Sequence, residues 1–469
     1  MSGLLQQSIQ SLATALRDGT TTCVALAEEA IDNHARWGTA LGAYKARQDD
    51  RFLAESRAAD AAFAAGLDFG LLQGIPVSVK DLYGVAGYQT FAGSPAALPK
   101  KWEQEGPVLG SLRAALAPVA GKTHTVEFAF GGIGSNAHWG TPRNPWDAEA
   151  HRVPGGSSAG AGISLCEGSA LLALGSDTAG SVRVPASFTG NVGVKTSFGR
   201  WSLDGIVPLS PSLDTAGVLA RTVPDAVLAF AAIDPFTDIP GEALLAGLSE
   251  LAAGDVHIGV CDHFFEGCDP GVAEGVQAAI DDLEKAGAQV TPIDLPEAVA
   301  ADEIFMRGGL AAPEFAAFIT GELSDFRATL DPNVAARFDS MEAITAVDYL
   351  LRRKRLAELA ALLDDRMAAV DVVVGPTVTI TPPTVDEISD GDSYRANNMA
   401  ALRNTRTGNL LTLSAVTIPV ALDTAGMPVG LQIMAPLDED ERALAVALAF
   451  EKVLGDRTQR LGQPPMCRA

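Results

Sequence analysis

The sequence predicts an α/β layered protein, and three observations carry that prediction. Residues 256–293 read as strand, helix, strand: an apolar run at 256–260, a helix opened by Asp269-Pro270 and closed near Gly287, then a second run at 289–293. A long helix from about Met341 places Leu356, Leu359, Leu363 and Met367 on one stripe and is followed by a strand at 372–374. Short apolar strands at 118–120 and 170–175 alternate with glycine loops. Helical and strand periods alternating along one chain call for a sheet layered with helices.

The first seventy residues are helical by pattern. Leu5, Ile9, Leu12 and Leu16 recur at helical spacing, and Thr21 or Thr22 can cap a second helix running towards His34. A third, alanine-rich segment spans residues 51–65. Gly66 and Gly70 then lead into Gly74-Ile75-Pro76-Val77-Ser78-Val79-Lys80, a β-rich run that ends on a lysine. From there to about Ala220 the density of Gly, Pro and Ser rises. Loops on a rigid scaffold are where binding and catalysis concentrate, so this region is the place to look for a site.

Composition narrows the function classes. At 469 residues the length alone suggests about three domains. With 34 basic against 58 acidic side chains the formal charge is −24, which argues against a binder of nucleic-acid backbones. The excess acid reads as solubility or salt tolerance. Cys23, Cys166, Cys261, Cys268 and Cys467 are too few and too scattered for a disulfide framework or a zinc quartet, so a reducing cytoplasm is expected. The amino-terminal segment lacks the basic start and apolar stretch of a signal peptide. The longest uncharged run, 407–422, is too short to span a membrane and is interrupted by Pro419.

Two clusters carry chemistry. In Pro154-Gly155-Gly156-Ser157-Ser158-Ala159-Gly160, the triplet Gly156-x-Ser158-x-Gly160 formally matches a nucleophile elbow. That elbow needs a strand before it, and here a polar, proline-broken loop precedes it, so the reading fails on context. In Gly175-Ser176-Asp177-Thr178-Ala179-Gly180-Ser181-Val182-Arg183, an apolar strand runs into a small-residue turn with a serine just past it. Such a turn can be an oxyanion cradle or an ordinary strand–turn–helix connection. Lys80 is either a snorkelling surface residue or, if buried, a base with its charged form disfavoured. Ala120-Gly121-Lys122-Thr123 resembles the tail of a phosphate loop, but Leu116 stands where its first glycine is required. The six histidines form no HExxH, and neither His124 nor His151 is singled out as a triad member.

Taken together, the clusters resemble the amidase signature family. The likeness rests on residues 74–81, Asn144-Pro145-Trp146, residues 154–160 and residues 175–186. Downstream it continues through Val194-Lys195-Thr196, Ser212-Leu213-Asp214, Ala220-Arg221-Thr222-Val223, Ile418-Pro419-Val420 and Pro428-x-Gly430-Leu431-Gln432. The resemblance implies one α/β domain over 1–469, with a mixed twisted sheet covered by helices on both faces. A helical segment 1–70 would pack on it, and the signature core would span 74–223. It further implies a Ser–cis-Ser–Lys triad: Ser181 as nucleophile, Ser157 as bridging serine after a cis Gly156–Ser157 bond, and Lys80 as base. The N–H groups of Thr178, Ala179, Gly180 and Ser181 would form the oxyanion hole. Ala129, Phe130 and Gly131, with Ser157, would contact substrate, and segments after about 300 would complete the pocket.

The implied function is amide hydrolysis through an acyl-enzyme, with a small-molecule amide as the partner. Neither a cofactor, a metal, nucleic acid nor a membrane is expected, and a homodimer is compatible with the family. Phe130 and Trp139 suggest room for an apolar or aryl acyl group, with core packing as their other use. Ala159 and Ala179 replace glycines of the commonest family pattern. Alternatives on the same scaffold are the glutaminase component of a tRNA-dependent amidotransferase and an esterase or carbamate hydrolase. Residues 306–339 do not resemble a glutamine-handling region, and a non-catalytic role conflicts with the intact Lys80, Ser157 and Ser181.

Overall fold

The computed structural model describes residues 3–339 and 344–468. Eleven strands form a single sheet: β1 Tyr44–Ala46, β2 Val77–Lys80, β3 Val119–Thr123, β4 Leu172–Asp177, β5 Val192–Lys195, β6 Thr215–Ala220, β7 His257–Val260, β8 Gln289–Pro292, β9 Val372–Pro376, β10 Ser414–Leu422 and β11 Pro428–Ala435. Their order across the sheet is β1-β3-β2-β4-β6-β5-β10-β11-β9-β7-β8. Strands from both halves of the chain therefore share one sheet, and the length-based expectation of about three domains gives way to a single domain. The sheet is mixed. β2 runs parallel to β3 and β4, while β4–β6, β6–β5, β5–β10, β10–β11 and β11–β9 are antiparallel.

The amino-terminal helices form as their caps dictate. Ser8 accepts from Ser11 N ahead of the helix Ile9–Arg17, and Thr22 accepts from Ala25 N ahead of Cys23–Leu41. The second helix runs on past His34 until Gly42, at φ 71°, ends it in the left-handed conformation. The apolar stripe Leu5, Ile9, Leu12, Leu16 is buried against the main core, and Ile9 N donates to Asp225 Oδ1 at 2.9 Å. The segment expected at 51–65 is the helix Asp49–Ala64.

The strand–helix–strand unit is β7, the helix Val272–Lys285 and β8. The long helix is Ala346–Met367, capped by Thr345, with its stripe Leu356, Leu359, Leu363, Met367 buried; the start expected near Met341 lies outside the described residues. Pro419 sits inside β10, next to a register shift between Pro419 and Ala421, where the missing N–H is tolerated. Among the described residues no helix is long and apolar enough to cross a membrane.

Candidate active site

Lys80 is the last residue of β2 and Asp177 the last residue of β4, so the carboxyl ends of two parallel neighbours deliver both side chains to one edge of the sheet. That edge is where α/β sheets place their ligands. The Lys80 side chain is fully buried. Its Nζ donates to Ser157 Oγ at 2.7 Å, to Ser176 Oγ at 2.9 Å and, more weakly, to Ser176 O at 3.4 Å. Burial pushes the Lys80 amine down to about 7, against the pull of Asp177 and Asp214 in the opposite direction. The snorkelling alternative is thereby excluded.

Ser157 follows a cis Gly156–Ser157 peptide bond and directly precedes the helix Ala159–Glu167 and its cap, Ser158. Its carbonyl accepts from Val126 N and Thr125 Oγ1, both at 3.1 Å. Small residues are required here because the backbones crowd: a Cβ on Gly156 would lie 2.7 Å from Gly134 N. Ser158 N donates to the Ser181 carbonyl at 3.3 Å, which ties the two serine loops together. Ser158 itself is buried at the start of the helix, with no strand leading into it.

The turn that bears Ser181 is organised by a carboxylate to which the motif reading assigned no role. Asp177 accepts from Gly180 N at 2.7 Å and Val182 N at 3.0 Å, and Arg183 returns to it through Nε at 3.1 Å and a terminal nitrogen at 2.9 Å. The other reaches of the guanidinium end on Gln432 Oε1 and Asn409 Oδ1, each at 2.6 Å. Burial alone would raise the Asp177 carboxyl; Arg183, with Lys195 behind it, overcomes this and holds it well below the usual carboxylate range. A buried Asp–Arg pair costs most when one member is removed. Arg183→Met is therefore expected to lose about 3–5 kcal/mol in denaturant unfolding, because Asp177 stays buried without its partner. A loss under about 1 kcal/mol would mean that the pair does not hold the turn.

One expected oxyanion donor needs correction. Gly180 N–H is taken by Asp177, whose fixed carboxylate captures the donor. Among the described residues, the N–H groups of Thr178, Ala179 and Ser181 have no protein acceptor. Gly180 is obligatory for another reason: at φ 136°, a Cβ on it would meet Thr405 Oγ1 at 2.1 Å. Ala179 has no positive φ, so its methyl sits without backbone strain and packs with the Ile133 and Val184 cluster. Ala159 is buried in the first turn of its helix.

A cavity of about 320 Å³ adjoins the turn. It is walled by Leu82, Trp102, Ile206 and Leu209 among others, with Ala129, Ser176, Thr178 and Asp214 also in its lining. Ala129, in that lining, stands at φ 60°, next to Phe128 at φ 48°. Phe130 and Gly131 do not line this cavity. Phe130 packs on Phe315, with ring centroids 5.2 Å apart, and lies beneath the Arg337 guanidinium, whose terminal nitrogen donates to Phe130 O at 2.8 Å. Gly131 is pressed against Tyr394, whose hydroxyl would lie 2.6 Å from an added Cβ. Trp139 likewise packs on His124, with Lys45 Nζ 4.2 Å from its ring.

His124 is buried with Nε2 2.9 Å from Gly140 O, and burial drives it down to about 4. His151 Nε2 lies 3.0 Å from Thr141 O. Neither is hydrogen-bonded to Ser157 or Ser181.

The amidase family model matches residues 25–444. The 2-amino-5-chloromuconic acid deaminase of Comamonas testosteroni is 48% identical over 464 residues, covering 98% of each chain. The glutamyl-tRNA(Gln) amidotransferase of Gloeobacter violaceus contributes a more distant relative, its A chain, 32% identical over 479 residues with 95% and 96% covered. A solved amidase superposes with a TM-score of 0.85 at 31% identity, over 96% of this chain and 100% of the other. Fold and sequence kinship together define an amidase, a hydrolase of carbon–nitrogen amide bonds. The chain belongs to the amidase family.

Proposed function

We propose that this chain hydrolyses a linear carboxamide through an acyl-enzyme on Ser181, with Ser157 and Lys80 as the proton relay. The observation that carries the reading is the buried Lys80 Nζ, 2.7 Å from Ser157 Oγ and with its amine brought down to about 7. A neutral amine accepts the Ser157 proton while Ser157 takes the proton of Ser181, and Ser181 Oγ attacks the carbonyl carbon. The resulting oxyanion is met by the N–H groups of Thr178, Ala179 and Ser181, which need no reorganisation to receive it. As the C–N bond breaks, the proton held by Lys80 returns through Ser157 to the leaving nitrogen. Water then attacks the acyl carbon by the same relay and releases the acid.

Ser157 also contacts the substrate in this scheme, and the cavity beside Ala129 and Thr178 takes an uncharged portion of it, as its mostly apolar wall favours. Five unpaired cysteines, three of them buried, fit the reducing cytoplasm as the enzyme's compartment.

The 48% identity to a deaminase of 2-amino-5-chloromuconic acid favours one second reading, release of ammonia from an unsaturated 2-amino acid by the same residues. Two experiments address these readings. A fluorophosphonate is expected to add one equivalent of mass to the peptide bearing Ser181; labelling of Ser158, or none, overturns the nucleophile. A screen of aryl amides, short aliphatic amides, glutamine, carbamates and 2-amino unsaturated diacids, read as product acid and released amine, decides between the two substrates.

A further inference from the structure

Lys80 is surrounded by charges that come from separate elements. On β4, Asp177 lies near it, but Arg183 and Lys195 offset that carboxylate. On β3, Lys122 Nζ lies 2.9 Å from Asp81 Oδ1, so that neighbouring pair is self-compensating. The remaining carboxylate is Asp214, 6% exposed, immediately before β6. Its Oδ1 accepts from Thr178 Oγ1 at 2.5 Å, and its Oδ2 accepts from Leu209 N and Ser210 N at 2.9 Å each. Among the described residues it forms no ion pair; besides Lys80, an ionisable group acting on it is another acid, Glu314, on the helix Ala311–Glu322. Asp214 shares the cavity lining with Ser176, the second acceptor of Lys80, and with Thr178.

We propose that Asp214 is a positioning residue of the reaction, anchoring Thr178 at the head of the oxyanion turn and standing as the carboxylate beside Lys80 that no cation neutralises. The proposal rests on the Ser181–Ser157–Lys80 reading above. Two consequences follow from geometry. The Thr178 side chain is held by Asp214 while the Gly180 N–H is held by Asp177, so two carboxylates fix the turn from opposite ends. The Thr178 N–H is thereby kept in place for an oxyanion. A negative charge on Asp214 also favours the protonated form of Lys80, against the burial that lowers it.

The test is the pH dependence of the second-order rate at which a fluorophosphonate labels Ser181, because it needs no knowledge of the natural substrate. Asp214→Asn keeps one oxygen for the Leu209 and Ser210 N–H groups and an amide within reach of the Thr178 hydroxyl, while removing the charge. Labelling is expected to slow by about ten- to a hundred-fold at its plateau, since an oxyanion donor is misplaced rather than removed. The acid limb is expected to move to lower pH, since neutral Lys80 forms more readily. A merely structural role would slow labelling without moving the limb, and that result, or an unchanged plateau, overturns the proposal. Should Asp214→Asn not fold, Thr178→Val tests the same contact from its other end, and a plateau rate above half of wild type overturns the anchoring. Labelling that persists in Ser181→Ala would instead condemn the underlying reading, so the two failures are distinguishable.

Discussion

Ser181→Ala is expected to abolish amide turnover, with a loss of roughly a million-fold in kcat and little change in folding stability. The serine is 4% exposed, and its carbonyl, not its side chain, ties the two loops through Ser158 N, so removing Oγ leaves that tie in place. The measurement is single-turnover hydrolysis beside a denaturant titration. A variant that keeps more than a few per cent of wild-type activity would move the nucleophile elsewhere. Ser158→Ala is the control: its Oγ has only a 3.5 Å contact with Ser176 O, and turnover should survive.

Lys80→Ala is expected to cost about a thousand-fold or more on amides and much less on esters with good leaving groups, which need no proton delivered to the departing atom. The sign of the pH dependence follows from the lowered amine. Only the neutral form accepts a proton, so wild-type kcat/KM should rise through about pH 7 and stay high into alkali. His124→Ala and His151→Ala should leave that profile alone. A histidine variant that erased the acid limb, while Lys80→Ala still turned over amides, would falsify the relay.

Stability should also rise with pH, over the window above the activity limb. A folded-state amine at about 7 against an ordinary 10.5 means that the unfolded chain binds more protons between those values. The cost of burying Lys80 is thus fully present below pH 7 and fades as pH rises towards 10.5. Lys80→Met should gain a few kcal/mol at pH 7, less at pH 10, in the same denaturant titration. Equal gains at both pH values would show that Lys80 is not titrating in the folded protein.

Much of this site was legible in the sequence because its requirements are local. Backbones that approach as closely as Gly156 to Gly134, or Gly180 to Thr405, tolerate only small side chains, and that constraint writes itself into consecutive positions. The serines and the strand-end lysine stand out against such runs, and the family likeness then orders them. Phe130 shows the limit. Its neighbour Ala129 does line the cavity, but whether an aromatic ring faces a cavity or a core depends on Phe315 and Arg337, which join it from nearly two hundred residues away or more.

By itself the sequence pointed to the alternation of strands and helices, a helix cap at Thr21 or Thr22 and the small-residue loops, and the family likeness picked out Lys80, Ser157 and Ser181. Each depends on residues that are neighbours along the chain. Only the tertiary structure decided that Lys80 meets Ser157 across 77 positions and Ser176 across 96, and that Arg183 closes on Asp177 while reaching Gln432 from 249 positions away. The same holds for the central antiparallel strands β5, β6, β10 and β11, since a period of two says which face is buried but not which strand lies beside it. The reason is physical. A lysine becomes a neutral base, and an N–H a spent or an available donor, through burial and charge summed over every segment that packs around it, and no local pattern carries that sum.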